Sequence, residues 1–180
     1  MKMPRMFLVI VSFGLLWGIP PSTGLAQTLM THLGQPVDRL IALQNVENSS
    51  SPCANITGTA EDFVRILPNG LKLSGFFRIA PGESLIVTDF DWSYDHPDGA
   101  SAAGRRIVLR LWVADLTNLA ASNVVTSSTM FLNDEGKGGI SEHLTGGFAV
   151  SSQSAICVDR DGAPSNVSGP INVRGYLLER

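Results

Sequence analysis

Two stretches of the chain, Ser84–Trp92 (SLIVTDFDW) and Arg105–Val113 (RRIVLRLWV), alternate in character with a period of two. That period suits strands whose two faces meet different surroundings, and it does not suit a helix. If Ile86, Thr88, Phe90 and Trp92 point inward, then Leu85, Val87, Asp89 and Asp91 share the other face. On the second stretch Ile107, Leu109, Leu111 and Val113 make an apolar face, opposite Arg106, Val108, Arg110 and Trp112. Setting Trp92 opposite Arg105 brings both apolar faces into coincidence, with Asp91 facing Arg106 and Val87 facing Arg110. The patterns predict an antiparallel pair closed by a loop over Ser93–Gly104.

Turn chemistry divides the remainder into short strands. Pro68-Asn69-Gly70 separates Phe63–Leu67 from Leu71–Leu73 and predicts a hairpin, since proline fixes φ and Asn-Gly tolerates the left-handed region. Pro81-Gly82 follows a further strand over Phe76–Ala80. Val124–Leu132, Gly147–Val150, Ala155–Val158 and Ile171–Leu178 read as strands, and Asn133–Gly139 as a glycine-rich loop. Pro36 and the residues after it fit a short helix or irregular arm, although Arg39–Val46 also suits an edge strand. The expected architecture is all-β: an antiparallel β-sandwich, jelly-roll-like, of eight or nine strands with a short N-terminal helix or arm. In domain terms residues 1–26 are a signal peptide, 27–55 the arm and 56–180 the sandwich.

Lys2 and Arg5, the apolar run Met6–Ile19, the Pro20-Pro21 break and the small residues near Ala26 have the order of a secretory leader. The run is shorter than the roughly 18 residues that suggest a membrane span. The protein is expected to be secreted, either extracellular or periplasmic. Cys53 and Cys157 are its only two cysteines, and in an oxidising compartment such a pair predicts a disulfide. The competing use, a catalytic thiol at Cys157 with His143 as base, needs an environment that sequence does not reveal. The net charge is −3, and without Lys2 and Arg5 the chain is more acidic still. No basic stripe is present, which argues against a nucleic-acid partner.

Asp89, Asp91, Asp95 and Asp98 supply oxygen donors of the type calcium takes. Their spacing fails the EF-hand loop, with His96 where glycine belongs, and Arg106 and Arg110 are expected to neutralise Asp89 and Asp91. Calcium is therefore a weak expectation, and no other cofactor is implied. His32, His96 and His143 are too scattered for a local zinc motif. Trp92, Tyr94 and Trp112 gather near the acidic loop, where half-exposed rings would stack on a sugar or anchor a partner. A strip of Leu85, Val87, Val108 and Trp112 is a candidate contact for a homo-oligomer.

No nucleophile elbow, zinc helix, P-loop or dinucleotide fingerprint occurs. The expectation is a secreted non-catalytic module that binds a glycan or partner surface, or builds an extracellular assembly. Its rival is a secreted hydrolase or lyase acting on polysaccharide, which would require opposed carboxylates in a cleft.

Overall fold

The computed structural model describes residues 39–163 and 169–179. The expected leader and the part of the arm over 27–38 lie outside these residues. Eight strands follow in order: β1 (Leu40–Glu47), β2 (Glu61–Ile66), β3 (Glu83–Asp95), β4 (Arg106–Asp115), β5 (Asn123–Phe131), β6 (Lys137–Ser151), β7 (Ser154–Asp161) and β8 (Ile171–Glu179). A single helical turn, α1 (Ala54–Thr57), sits between β1 and β2. The strands form a sheet of five, ordered β2-β1-β8-β3-β6, and a sheet of three, ordered β5-β4-β7. All the pairings are antiparallel. No helix among the described residues is long and apolar enough to cross a membrane.

The expected antiparallel sandwich is present, and its connectivity is jelly-roll-like. First pairs with last (β1 with β8), third with sixth and fourth with fifth, the nesting produced when one long hairpin rolls into two sheets. The absent rung is β2 with β7. β2 stays hydrogen-bonded to β1 instead, so the sheets hold five and three strands rather than four each. Side chains close that flank: Arg160 on β7 donates from both terminal nitrogens to Glu61 on β2, at 2.9 and 3.0 Å. Asn45 donates to the same carboxylate and accepts from the Ile171 amide. Both charged groups are buried, and removing one partner of such a pair typically costs ~3–5 kcal/mol because the other is left uncompensated.

The predicted pairing of Ser84–Trp92 with Arg105–Val113 does not occur. β3 pairs with β6 and β8, β4 with β5 and β7, and the two face each other across the core. Matching apolar faces can be satisfied by stacking sheets as well as by edge pairing, and the rolled topology selects stacking. The face assignment on β3 is half right. Both of its ladders shift register between Val87 and Asp89: against β8 the single residue Thr88 is extra, while against β6 it faces four residues, 144–147. Before the bulge Leu85 and Val87 point inward, and after it Phe90, Trp92 and Tyr94 do. With Ile107, Leu109, Leu111, Ile171 and Val173 they make the core. Burying each large aliphatic or aromatic group contributes about 1.5–3 kcal/mol.

The other differences are local. Leu40–Glu47 is a strand with neighbours on both sides rather than a helix or arm, because Ile41, Leu43 and Asn45 alternate inward. Phe76–Ala80 is not a strand. It runs past β2, held where the Phe77 amide donates to the Phe63 carbonyl at 2.7 Å and Arg78 grips Asp62. The Pro68-Asn69-Gly70 turn forms, but beyond it there is only one bridge, Ile66 to Lys72. The loop expected over Asn133–Gly139 is cut short because β6 begins at Lys137.

Candidate binding face

Once the bulge has turned Phe90 and Trp92 into the core, Asp89 and Asp91 must stand on the solvent face of the five-stranded sheet. The register then fixes their neighbours. Asp91 lies between Asn172 on β8 and Ser141 on β6, and Asp89 between Arg174 and His143. Gln44 on β1 is opposite Asn172. These side chains bond to one another across four strands. The Gln44 amide donates to Asn172 Oδ1 at 2.9 Å, and Asn172 donates to Asp91 Oδ1 at 2.7 Å. Arg174 reaches Asp91 Oδ2 at 2.6 Å, and His143 Nδ1 lies 2.7 Å from Asp89 Oδ1. An ionised carboxylate only accepts, so that histidine carries a proton on Nδ1 and leaves Nε2 toward solvent.

Partial burial alone would raise the Asp89 pKa. Hydrogen bonds from Thr88 and His143, with the charge of Arg174 nearby, outweigh it and hold the carboxyl below its ordinary value. The next row of the same face is apolar: Leu40, Tyr176, Ile86 and Ala149 lie side by side, with the tyrosine ring half-buried. β8 can lie this close to β3 because of Gly175, where a Cβ would stand 1.9 Å from the Ile86 carbonyl oxygen. At the other end Ser93, Tyr94, Asp95, Lys137, Gly138 and Pro170 are among the residues lining a recess of about 320 Å³.

The structure separates Trp112 from Trp92 and Tyr94, and Asp98 from the other three acids. Trp92 and Tyr94 are each 2% exposed and pack against one another in the core, ring centroids 6.2 Å apart, so neither presents a face for stacking. Burial raises the Tyr94 pKa above its ordinary value. Trp112 is on the opposite sheet, half-buried against the Cys53–Cys157 disulfide with Ile56 and Ala155. Of the oligomer strip, Leu85 and Val87 are core residues, while Val108 and Trp112 lie on the outer side of β4. The split follows from the bulge and from β3 and β4 belonging to different sheets.

Of the four acids, Asp89, Asp91 and Asp95 share the solvent side of β3, and Asp98 lies in the following loop beside Arg105. Asp91 has Arg174 and Asp89 has His143, not the expected Arg106 and Arg110. Arg110 instead binds Asp159 at 2.7 Å and Asp161 at 3.0 Å on β7. Among the described residues no three His, Cys, Asp or Glu side chains gather as a metal site. The disulfide is present, joining positions 104 apart with Cα atoms separated by 5.3 Å. Cys157 is therefore no thiolate nucleophile, and His143 sits on the other sheet.

Neither described recess opposes two carboxylates. A cavity of about 60 Å³ under Phe77 and Ile79 contains Asp62, already held by Arg78 at 2.6 Å, and the larger recess contains Asp95. The sequence reading missed Gln44, Asn172, Arg174 and Tyr176, and it weighed His143 only as a base for Cys157 or a zinc ligand, not as the partner of Asp89. One signal was available: Asn172, Arg174 and Tyr176 alternate with Ile171, Val173 and Gly175, so they share a side of the closing strand. Compared with known proteins, the chain matches no family model and no curated protein.

Proposed function

We propose that this chain is an exported, non-catalytic jelly-roll-like module that binds a neutral glycan across the solvent face of its five-stranded sheet. The observation that carries the reading is the bonded row Gln44–Asn172–Asp91–Arg174, set beside the Tyr176 ring. Sugar hydroxyls both donate and accept, and this row offers carboxylate and amide acceptors with amide and guanidinium donors. Mutual bonding on paired strands holds the side chains in place, so less rotamer freedom is lost on binding. An aromatic ring next to such a row can take the apolar side of a sugar.

Charge narrows the ligand class. Asp91 is paired with Arg174, Asp89 is bonded to the His143 ring, and Asp95 lies across from Lys137, which itself pairs with Glu135. Carboxylates on this face disfavour an acidic polymer, and those already bonded to Arg174 and His143 offer little to a basic one, which favours an uncharged ligand. Export is supported by the leader-like residues 1–26 together with the disulfide.

Affinity electrophoresis through gels containing a panel of neutral polysaccharides tests the reading. At least one should retard the protein, Asp91→Ala and Tyr176→Ala should abolish the retardation, and Arg110→Ala on the opposite sheet should not. Equal mobility in every gel would contradict it. Release of reducing ends from any of the panel would favour the hydrolase or lyase reading instead.

A further inference from the structure

Across residues 63–82 the charge pattern of the chain reverses. The whole sequence has 16 acidic residues against 13 basic ones, yet this run contains Arg65, Lys72 and Arg78 and no acid. Every residue from 68 to 76 within it is exposed. Leu71, Leu73 and Phe76 are 62%, 43% and 44% exposed, large apolar groups held in water. Arg65 donates to the Leu40 carbonyl at 3.3 Å, and neither it nor Lys72 has an acidic partner among the described residues. Arg78 is bonded to Asp62 and lies over the Phe76 ring, 5.7 Å from its centroid.

The backbone of this tip is bonded to itself. Leu67 donates to the Leu71 carbonyl at 2.9 Å, Gly70 to the Leu67 carbonyl at 2.8 Å and Leu73 to the Arg65 carbonyl at 2.9 Å. The Leu71 amide donates to Asn69 Oδ1 at 3.1 Å. Amides on an exposed turn can rely on water, whereas amides entering an apolar medium must find partners within the chain. Below the tip, the Phe77 amide and the Arg78–Asp62 pair fasten the segment to β2. The result is a convex, anchored hairpin with apolar side chains at its end and unpaired cations beside them.

We infer that the hairpin tip over 67–76 docks the protein on a membrane surface bearing anionic lipid. Leu71, Leu73 and Phe76 enter the boundary between headgroups and acyl chains, while Arg65 and Lys72 stay level with the phosphates. Charge selects the occupant first: two unpaired cations with no acid nearby in sequence, on an otherwise acidic chain, are complementary to a negative surface. Shape selects it second. A protein partner would need a hollow to receive a convex tip, whereas a bilayer yields to one and is apolar beneath its charge. Long basic side chains can then lie along the apolar layer with their charges at its surface. The other run of exposed apolar residues, over 116–125, contains no cation and lacks the first of these properties. The inference is independent of the glycan reading, because the hairpin extends from β2 and the polar row lies on β1, β8, β3 and β6.

Co-sedimentation of the full chain with lipid vesicles tests it. Phosphatidylcholine vesicles containing about one third phosphatidylglycerol should bind the protein at least about tenfold more tightly than phosphatidylcholine alone, and added salt should narrow that gap. Leu71→Ser with Leu73→Ser, both at exposed positions, should keep the wild-type circular dichroism and bind the anionic vesicles at least about tenfold more weakly. Lys72→Glu should weaken the same binding by about tenfold and leave binding to phosphatidylcholine unchanged. In Leu71→Trp, brominated acyl chains should quench emission beyond that of the wild type, which reports insertion rather than adsorption. A wild type that ignores the anionic vesicles, or binds both kinds equally, would overturn the inference. Binding indifferent to the leucine variant would overturn it as well, since the apolar run Met6–Ile19 or another surface would then be the anchor. Self-association lost in that variant, without vesicle binding, would make a second copy the occupant instead.

Discussion

The two outer faces of this sandwich are built to opposite specifications. On the three-stranded sheet α1 and the Cys53–Cys157 bond lie over β4 and β7, with Trp112, Ala114 and Ala155 packed beneath. On the five-stranded sheet, the row from Gln44 to His143 lies open with its polar groups bonded among themselves. A covered apolar face adds to stability, whereas a surface ion pair is worth about 0–1 kcal/mol. A long polar row thus contributes little to holding the fold, as the proposed binding role leads one to expect.

The largest effect should come from opening the covered face. Replacing Cys53 and Cys157 together with serine should cost about 2–5 kcal/mol in denaturant unfolding, because the bond closes a long loop. It should also shift Trp112 emission to the red as its cover loosens; unchanged stability would break the contrast. Next comes Asp91→Ala, expected to weaken glycan binding by about tenfold or more by removing a charged acceptor. Its stability should fall by under about 1 kcal/mol. Arg110→Ala on the opposite sheet should leave binding unchanged; equal losses of binding from both would erase the distinction between the faces.

Acid should produce a smaller effect. Asp89 is held below its ordinary value of 3.8, so its contribution is present at neutral pH and lost as pH falls through the depressed value. Asp89→Asn should therefore flatten the decline of the urea midpoint between roughly pH 5 and pH 2, and an unchanged slope would remove the Thr88 and His143 bonds from the account. Smallest of all is calcium. With Asp89 and Asp91 already partnered, millimolar calcium or chelator should leave the melting temperature unmoved, and a rise of several degrees would mean the row opens to take a metal.

How far the sequence could be read depended on whether a feature was local. The strands around Ile107–Val113 and Ile171–Leu178 were legible because alternation is a property of a few consecutive residues. The disulfide was legible because only one pairing of two cysteines exists. The partner of β3 was not, since edge pairing and face-to-face stacking satisfy the same pattern, and only the nesting of β1 with β8 chooses between them. The single extra residue at Thr88 reverses every face assignment before it, which sent Leu85 and Val87 to the wrong side. Tyr176, which shares the polar row's side of the sheet, escaped notice because residues from β1, β3, β6 and β8 meet there from distant parts of the chain.

Backbone amide chemical shifts followed during titration with a neutral oligosaccharide taken from a retarding polymer test the central claim most directly. The account predicts shifts concentrated at Gln44, Asp89, Asp91, Asn172, Arg174 and Tyr176, with Trp112 and its neighbours on the small sheet unmoved. Shifts centred on the three-stranded sheet, or none from any oligosaccharide, would contradict it.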